Sequence, residues 1–221
     1  MNKNEQGLTT GLSGLRMLCI SASNRLDAAE TNSSRKCRVV LDEAGKHITE
    51  MQGRIIELRD YPLNPCTACS GCKNSRRCAI DEAFNQVYEE VIACDILFII
   101  CPHYAPIPAK LCMLMEKMGQ IVSIHSSKDK SYRGETYGIR TAIITHGATA
   151  VDEAARKRKK RFLNDPIANG LHDTQLKLIP FNNEWDTGIC VQPIEMNHDG
   201  TTVMRISEYV QIVMNVLVVS N

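Results

Sequence analysis

The sequence predicts an α/β fold with a doubly wound, five-stranded parallel sheet and helices on both faces. Short apolar segments typical of buried strands alternate along the chain with segments whose apolar residues recur at helical spacing. This alternation indicates βαβ units, which form parallel sheets through right-handed crossovers. The 221 residues, of which 43% are hydrophobic, are enough to build the core of such a sheet.

Three strands and two helices are predicted in the first half of the chain. Leu15–Ser21 predicts the first strand, residues 33–51 a helix, and Arg54–Leu58 the second strand. After a cysteine-rich loop, Asp81 is the expected N-cap of the next helix. The third strand, Ile96–Cys101, is apolar throughout, as expected of a strand that is covered on both faces.

The second half of the chain continues the same alternation. Residues 109–122 predict a helix, Thr141–Thr145 the fourth strand, and residues 150–164 another helix. Leu176–Phe181 predicts the fifth strand, and apolar residues at helical spacing between 206 and 217 predict a closing helix.

One domain is expected over residues 15–221, preceded by a flexible polar tail at residues 1–14. The tail has no apolar signal region, and the longest apolar runs fall short of the roughly 20 residues that a membrane helix needs. Ten cysteines without a secretion signal favour a reducing compartment, so a cytoplasmic protein is expected. The net charge of +1 gives no overall attraction to nucleic acid or to a membrane.

Four cysteines lie within thirteen residues, in the spacing C-x2-C-x2-C-x5-C, inside a loop predicted at residues 62–80 after the second strand. They are Cys66, Cys69, Cys72 and Cys78. Compact runs of four thiolates hold iron–sulfur clusters, and zinc also accepts four thiolates. Typical zinc sites join two separated pairs, whereas three ligands at steps of three residues crowd one small ion. The spacing therefore favours a cluster, with zinc as the alternative.

Two groups of positive charges stand out in the sequence. Lys73, Arg76 and Arg77 lie inside the cysteine loop, where they are expected to stabilise an anionic cluster and raise its reduction potential, unless they simply face solvent. The run RKRKKR at Arg156–Arg161 covers every face of a helix, which favours a solvated helix paired with Asp152 and Glu153. The alternative is a docking surface for an acidic partner such as ferredoxin.

Three loops follow predicted strands, and ligands of doubly wound sheets bind at the carboxyl ends of the strands. The first, residues 21–34, is rich in hydroxyl and amide groups and ends at a helix N-terminus, which suits a phosphate. It contains neither G-x-G-x-x-G nor a Walker lysine motif, so a dinucleotide or ATP site is disfavoured. In the second loop, 101–108, prolines stiffen the chain around Tyr104, and in the third, 145–150, Gly147 permits close backbone approach.

Several stretches together resemble a known family. SASNR at Ser21–Arg25 and NSS at Asn32–Ser34 precede the cysteine loop, and CDILFIICPHYAPIP at Cys94–Pro108 follows it. Over residues 15–148 the pattern resembles the NADPH-dependent FMN reductase superfamily, and the cysteine spacing resembles that of its iron–sulfur flavoproteins. The resemblance implies a flavodoxin-like fold, FMN on the three loops and one 4Fe–4S cluster. It also implies a homodimer or homotetramer in which the cluster of one subunit lies near the flavin of another.

The resemblance also assigns binding roles by position. It places the FMN phosphate on Ser21, Ser23, Arg25, Asn32, Ser33 and Ser34. It places the ribityl chain and the isoalloxazine ring beside Pro102, His103, Tyr104, Ala105 and Ile107, and it closes Thr145, His146 and Gly147 over the ring.

The expected function is that of an FMN-dependent oxidoreductase and electron-transfer protein that couples FMN to a 4Fe–4S cluster. The expected partners are small-molecule or protein electron donors and acceptors, with ferredoxin or NAD(P)H as the donor. A cluster-free NAD(P)H-dependent FMN or quinone reductase is the alternative, and a redox or metal sensor is a second alternative. Because the chemistry belongs to the cofactors, no catalytic side chain is assigned.

Overall fold

Six parallel strand segments form one sheet in the computed structural model, which describes residues 14–104, 106–196 and 200–219. The strands are β1 (Arg16–Ser21), β2 (Gln52–Glu57), β3 (Ile96–Pro102), β4 (Arg140–His146), β5 (Lys177–Leu178) and β6 (Ile189–Val191). Their order is β2-β1-β3-β4-β5, and β6 also pairs with β4. The predicted tail lies outside the described residues except for Gly14.

Seven helices are described around this sheet. They are α1 (Asn32–Gly45), α2 (Cys72–Ser75), α3 (Glu82–Ala93), α4 (Ala109–Ser126), α5 (Glu153–Phe162), α6 (Asn164–His172) and α7 (Thr201–Val219). Short 3-10 turns follow β2 at Leu58–Asp60 and β6 at Ile194–Met196. Within the described ranges, no helix combines the length and the apolar character that crossing a bilayer requires.

Helices cover both faces of the sheet, as the sequence predicts. On one face, α3, α4 and α6 pack residues such as Phe84, Leu114 and Leu171 against the sheet. On the other face, α1 and α7 contribute residues such as Val40 and Tyr209. Every residue of β3 is buried, which confirms that this strand is covered on both sides.

The register brings three strand ends to one edge of the sheet. Ser21, the last residue of β1, pairs with Ile100 of β3, and Pro102 at the end of β3 pairs with His146 at the end of β4. The strand order reverses between β1 and β3, which is the position where open α/β sheets bind ligands. The loops after β1, β3 and β4 therefore converge there.

Two helix predictions are wrong at their ends. The helix predicted over residues 33–51 ends at Gly45, and Glu50 adopts a left-handed backbone with φ of 65°. The helix predicted over residues 150–164 breaks at Leu163, and α6 begins immediately afterwards. Pro166 lies in the first turn of α6, where the backbone N–H groups have no partner within the helix, so its missing N–H costs no hydrogen bond. The break therefore creates a helix that the periodicity alone did not predict.

The fifth strand position is split into two segments. The predicted strand Leu176–Phe181 forms ladder pairs only at β5, beside the start of β4, and β6 pairs with the end of β4. Gly188 returns the chain to the sheet with φ of 101°, and a Cβ there would lie 2.2 Å from the Ile143 carbonyl oxygen. Only glycine fits such a close approach, so this residue fixes where β6 begins.

Candidate functional site

An open crevice of about 300 Å³ lies at the carboxyl ends of β1, β3 and β4. This volume is within the range of small-molecule and cofactor pockets. Nine residues that the sequence singled out line the crevice: Ser23, Arg25, Asn32, Ser33, Pro102, His103, Tyr104, His146 and Gly147. Thr31, Ala148 and Pro193 complete the wall and were not predicted.

Four other predicted residues support the crevice from behind. The Ser34 hydroxyl lies 2.7 Å from that of Thr31, in the capping box that begins α1. The Thr145 hydroxyl donates to Asn164 Oδ1 at 2.6 Å, and Ile107 packs against the core. Ser21 is fully buried at the end of β1. Ala105 lies outside the described residues. Direct roles of these residues in FMN binding remain predictions.

The end of the crevice at α1 is suited to an anion. Thr31 caps the helix by accepting from the Ser34 N–H, and the first turn contains no acidic residue, so the positive dipole end of α1 suits a phosphate. Arg25 lies on the same wall and pairs with Asp27 at 2.9 Å in an exposed position. Asn32 accepts a hydrogen bond from the Ile194 N–H at 3.2 Å, which ties the chain after β6 to this end.

Arg59, which sequence reasoning missed, holds the first loop in place. One terminal nitrogen donates to the Arg25 carbonyl at 2.7 Å and to the Ala28 carbonyl at 2.6 Å, and the other donates to the Ala29 carbonyl at 3.0 Å. Lys110 in turn donates to the Arg59 carbonyl at 2.6 Å. A single arginine in the turn after a strand has no sequence signature, because its importance depends on which carbonyls the fold brings to it.

Two neutral histidines form part of the crevice floor. His146 Nε2 lies 2.9 Å from the Ser33 hydroxyl, and burial, with the nearby Lys36 charge, holds the pKa of His146 well below 6.5. His103 Nδ1 lies 2.9 Å from the Lys159 ammonium, and burial together with that charge lowers the pKa of His103. Both imidazoles are therefore hydrogen-bonding groups rather than cations at neutral pH.

The expectation that Arg156–Arg161 is a solvated basic run is wrong in part. Lys159 is only 8% exposed and reaches the crevice, where a Cβ on Gly147 would lie 3.1 Å from its Nζ. Lys157 pairs with Glu184 at 2.5 Å, and Lys160 lies 2.8 Å from both Asp165 and Asp186. Six consecutive helical residues must place some members against the sheet, so the run is divided between core, ion pairs and solvent.

The floor behind the crevice contains buried polar atoms that fit a cofactor rich in polar groups. Lys36 of α1 is fully buried, and its Nζ has no hydrogen-bond partner in the described residues. The Ser21 hydroxyl is in the same situation. Burial lowers the pKa of Lys36 to about 7. Unsatisfied buried groups are costly, and these two adjoin the crevice, at the end of β1 and beside His146.

The four motif cysteines line a second pocket, between α2, the start of α3 and the middle of α4. All four are free thiols: Cys66, Cys69, Cys72 and Cys78. Phe84, Lys117 and Ile121 form the inner wall. Within the described ranges, no three His, Cys, Asp or Glu side chains are arranged to hold a single metal ion. The donor set, four thiols around one cavity, nevertheless fits a multi-iron cluster.

The backbone of the cysteine loop is tightly wound. Ala68, Ser70 and Arg76 adopt left-handed conformations with φ of 53°, 59° and 57°. A Cβ on Gly71 would lie 2.6 Å from the Ala79 Cβ. A non-glycine residue with a left-handed backbone costs roughly 1–3 kcal/mol of folding free energy, and such residues cluster at functional sites. This wound backbone carries the four cysteines that line the pocket.

Polar contacts anchor both ends of the cysteine loop. The Cys66 N–H donates to Glu116 of α4 at 3.0 Å. The Cys78 N–H donates to Asn85 of α3 at 2.8 Å, and the Asn85 amide returns a bond to the Cys78 carbonyl at 2.9 Å. The first and last cysteines are therefore fixed to two different helices of the scaffold.

The thiols differ in acidity. Hydrogen bonds from the Gly71 N–H and Thr67 lower the pKa of Cys69, whereas burial raises the pKa of Cys72. Since the thiolate is the metal ligand, Cys69 is the better preformed donor of the two.

The arginines of the loop do not face the cysteines. Arg77 pairs with Glu135 at 2.6 Å and also with Glu89, while Arg76 lies over the Tyr132 ring at 5.8 Å. Neither arginine lines the cysteine pocket, nor does Lys73. Arg77 therefore fastens the loop to its surroundings, and the predicted effect of these charges on a cluster finds no support in their positions.

The crevice and the cysteine pocket are separate within one chain. They share no lining residue.

The sheet order, the strand-end crevice and its phosphate-suited helix define a flavodoxin-like α/β protein. Residues 15–160 match the family of NADPH-dependent FMN reductases. The chain belongs to this family and is an FMN-dependent oxidoreductase.

Two relatives carry both cofactor types in their names. An iron–sulfur flavoprotein of Methanocaldococcus jannaschii is 22% identical over 169 residues, covering 70% of this chain and 80% of the relative. An iron–sulfur flavoprotein of Methanosarcina thermophila is 25% identical over 104 residues, covering 40% of this chain and 54% of the relative.

Solved structures support the fold. An oxidoreductase from Corynebacterium diphtheriae superposes with a TM-score of 0.59 at 13% identity, covering 95% of this chain and all of the other (100%). An FMN-dependent NADH-azoreductase from Bacillus anthracis, in complex with FMN, gives 0.53 at 12% identity over 91% of this chain and 99% of the other.

Proposed function

We propose that this protein is an iron–sulfur flavoprotein that passes electrons between FMN and a 4Fe–4S cluster. The observation that carries the proposal is that all four cysteines of the motif line one pocket of an FMN reductase fold. When bound, FMN exchanges two electrons with a donor and releases them singly, and a cluster carries one electron at a time. The protein supplies the positions and the electrostatic surroundings.

The proposed FMN site is the strand-end crevice. Ser23, Arg25 and Ser33 would hold the phosphate beside the N-terminus of α1. Tyr104 would line the ring, with its hydroxyl held 3.3 Å from that of Ser23. Gly147, backed by the Lys159 ammonium, would let the third loop approach the ring closely.

The proposed ligands of the cluster are the thiolates of Cys66, Cys69, Cys72 and Cys78. Their support is the wound backbone and the anchors on Glu116 and Asn85, which hold the loop before any metal binds. The resemblance to iron–sulfur flavoproteins implies a homodimer or homotetramer, and the two pockets of one chain share no lining residue, so we propose transfer between subunits.

NAD(P)H or ferredoxin is the proposed electron donor, in a cytoplasmic setting. Docking of an acidic ferredoxin would depend on exposed Arg158 and Arg161 of α5, because most of the other cations in that run face the core or ion pairs. The cluster-free NAD(P)H-dependent FMN or quinone reductase is the second candidate, which the family and the open crevice favour.

Metal and sulfide analysis tests the proposal. Protein purified without oxygen is expected to contain FMN with about four irons and about four acid-labile sulfides per chain. Cys72→Ser should lose iron and sulfide but retain FMN, whereas Cys112→Ser, an exposed cysteine outside the motif, should retain all three. FMN without iron and sulfide in the unaltered protein would instead establish the cluster-free reductase, and zinc without sulfide would establish a zinc site.

A further inference from the structure

We propose that Lys117 sets the reduction potential of the cluster by presenting a buried positive charge to the four cysteines. This inference rests on the proposed function, since it assigns a role toward the cluster to a residue of the α4 helix. Lys117 lies far from the cysteine motif in sequence and carries no motif of its own.

Lys117 is the cation that the fold places at the cysteine pocket. It lines the same cavity as the four cysteines and is only 3% exposed. Its ammonium bonds to Asp81 and lies 5.5 Å from the centre of the Phe84 ring. The long apolar stem of a lysine lets the charge reach such a buried position.

The partner carboxylate is held by three hydrogen bonds outside the pocket wall. Asp81 does not line the pocket. Its oxygens accept from the Phe84 N–H at 3.0 Å and from the Asn64 N–H at 2.9 Å, in addition to Lys117. Asp81 therefore caps α3 and fixes the chain that leads to Cys66, and of the two charged partners only Lys117 lines the pocket with the cysteines.

Electrostatics gives the direction of the effect. When one electron passes from reduced FMN to the cluster, the flavin is oxidised and the charge on the cluster becomes more negative by one unit. A nearby cation favours the more negative state, and it does so more strongly where water is excluded. Lys117 should therefore stabilise the reduced cluster and raise its reduction potential.

The ion pair of Lys117 and Asp81 is buried, and such a pair does not by itself indicate a contribution to the stability of the fold. Replacing such a pair with apolar groups is often neutral or stabilising, so packing alone does not explain why the fold retains one here. A charge that faces a redox site provides a functional reason. The three cations inside the loop do not line the pocket, so they do not offer the same explanation.

A redox titration of the whole protein, monitored by electron paramagnetic resonance of the cluster, tests the inference. Lys117→Met should increase the oxidised-to-reduced ratio of the cluster about tenfold at a fixed potential, which is about 59 mV for one electron. Lys117→Arg should restore the ratio of the unaltered protein. The flavin potential, read from its absorption in the same samples, should change less because FMN lies in a separate pocket.

Two further variants separate the charge of Lys117 from that of Asp81 and from other cations of the cysteine loop. Asp81→Asn with Lys117→Met removes both charges, while asparagine still caps α3, and should give a smaller shift in the same direction. Arg76→Gln removes a cation of the same loop that is outside the pocket wall and should leave the potential unchanged.

The failures are distinguishable. Absence of iron and sulfide from the unaltered protein would defeat the proposed function itself. A cluster present throughout, with the same potential in Lys117→Met and in the double variant, would overturn the role of Lys117. Loss of the cluster from both variants would assign Lys117 to holding the cysteine loop together and would also overturn its role in setting the potential.

Discussion

At the scale of single residues, a buried lysine lies beside each of the two candidate pockets. Lys36 is fully buried behind the crevice floor without a hydrogen-bond partner in the described residues, and Lys117 stands against the cysteines beside Asp81. Burying an unpartnered amine costs stability, and Lys36 carries this cost beside His146, which lines the crevice.

Replacing Lys36 should stabilise the protein without FMN. Burial lowers the pKa of Lys36 from 10.5 to about 7, so the unfolded chain binds a proton between these values that the folded chain does not. Stability is therefore lost as pH falls from about 10 to 7, by at most roughly 5 kcal/mol. Lys36→Met should raise the unfolding free energy at pH 7 by a few kcal/mol, measured by urea denaturation.

The stabilisation should shrink at pH 10, where the lysine is neutral in the folded protein and partly neutral in the unfolded one. Lys128→Met, at an exposed position, should change stability little at either pH. A Lys36→Met protein that is less stable at pH 7 would contradict this interpretation.

At the scale of elements, the strands that position the site were more predictable than the segments that complete it. The apolar runs of β1, β3 and β4 predicted those strands closely because each is buried by its neighbours. The β6 strand has only three residues, so it lacks the length that a periodicity needs. Its position depends on Gly188 meeting the Ile143 carbonyl, which is a contact between distant parts of the chain.

Gly188→Ala should therefore be severely destabilising. The added Cβ would lie 2.2 Å from the Ile143 oxygen in a backbone with φ of 101°, so at least about 3 kcal/mol should be lost in thermal or urea unfolding. Gly138→Ala is the matched control: its φ is 80°, but nothing lies within 4 Å of the added Cβ, so about 1 kcal/mol is expected. Equal losses of stability in the two variants would show that backbone strain, and not the contact with Ile143, causes the destabilisation.

Removing Arg59 should loosen the first loop and weaken FMN binding. Its guanidinium donates to three carbonyls of that loop, at Arg25, Ala28 and Ala29, which it holds in one conformation. Arg59→Met should raise the FMN dissociation constant about tenfold, or about 1.4 kcal/mol, measured by quenching of flavin fluorescence. Arg54→Met, which breaks an exposed pair with Glu90, should leave it unchanged.

At the scale of the whole molecule, sequence patterns predicted the fold, the three loops and the cysteine pocket, but not how charge is arranged around them. The cysteine spacing identified the cysteine pocket, and the family resemblance placed Ser33 and His146 at the crevice that they line. They could not show that Arg77 pairs with acidic residues while Lys117 faces the thiols, since that depends on how α3 and α4 pack against the loop.

The separation of the two pockets has a consequence for assembly. If electrons pass from the flavin of one subunit to the cluster of another, the protein should be a dimer or tetramer in solution, and dilution to monomers should slow cluster reduction while leaving flavin reduction unchanged. Light scattering combined with stopped-flow absorption measures both. A monomer that reduces its cluster at an undiminished rate would contradict transfer between subunits.

The most direct test of the central claim is a reductive titration of the anaerobically purified protein, with flavin absorption and cluster resonance followed together. A flavin that accepts two electrons and a 4Fe–4S cluster that accepts one predict about three electron equivalents per chain. A titration complete after two equivalents, with bleaching of flavin alone, would show that the thiolates between Cys66 and Cys78 hold no redox centre.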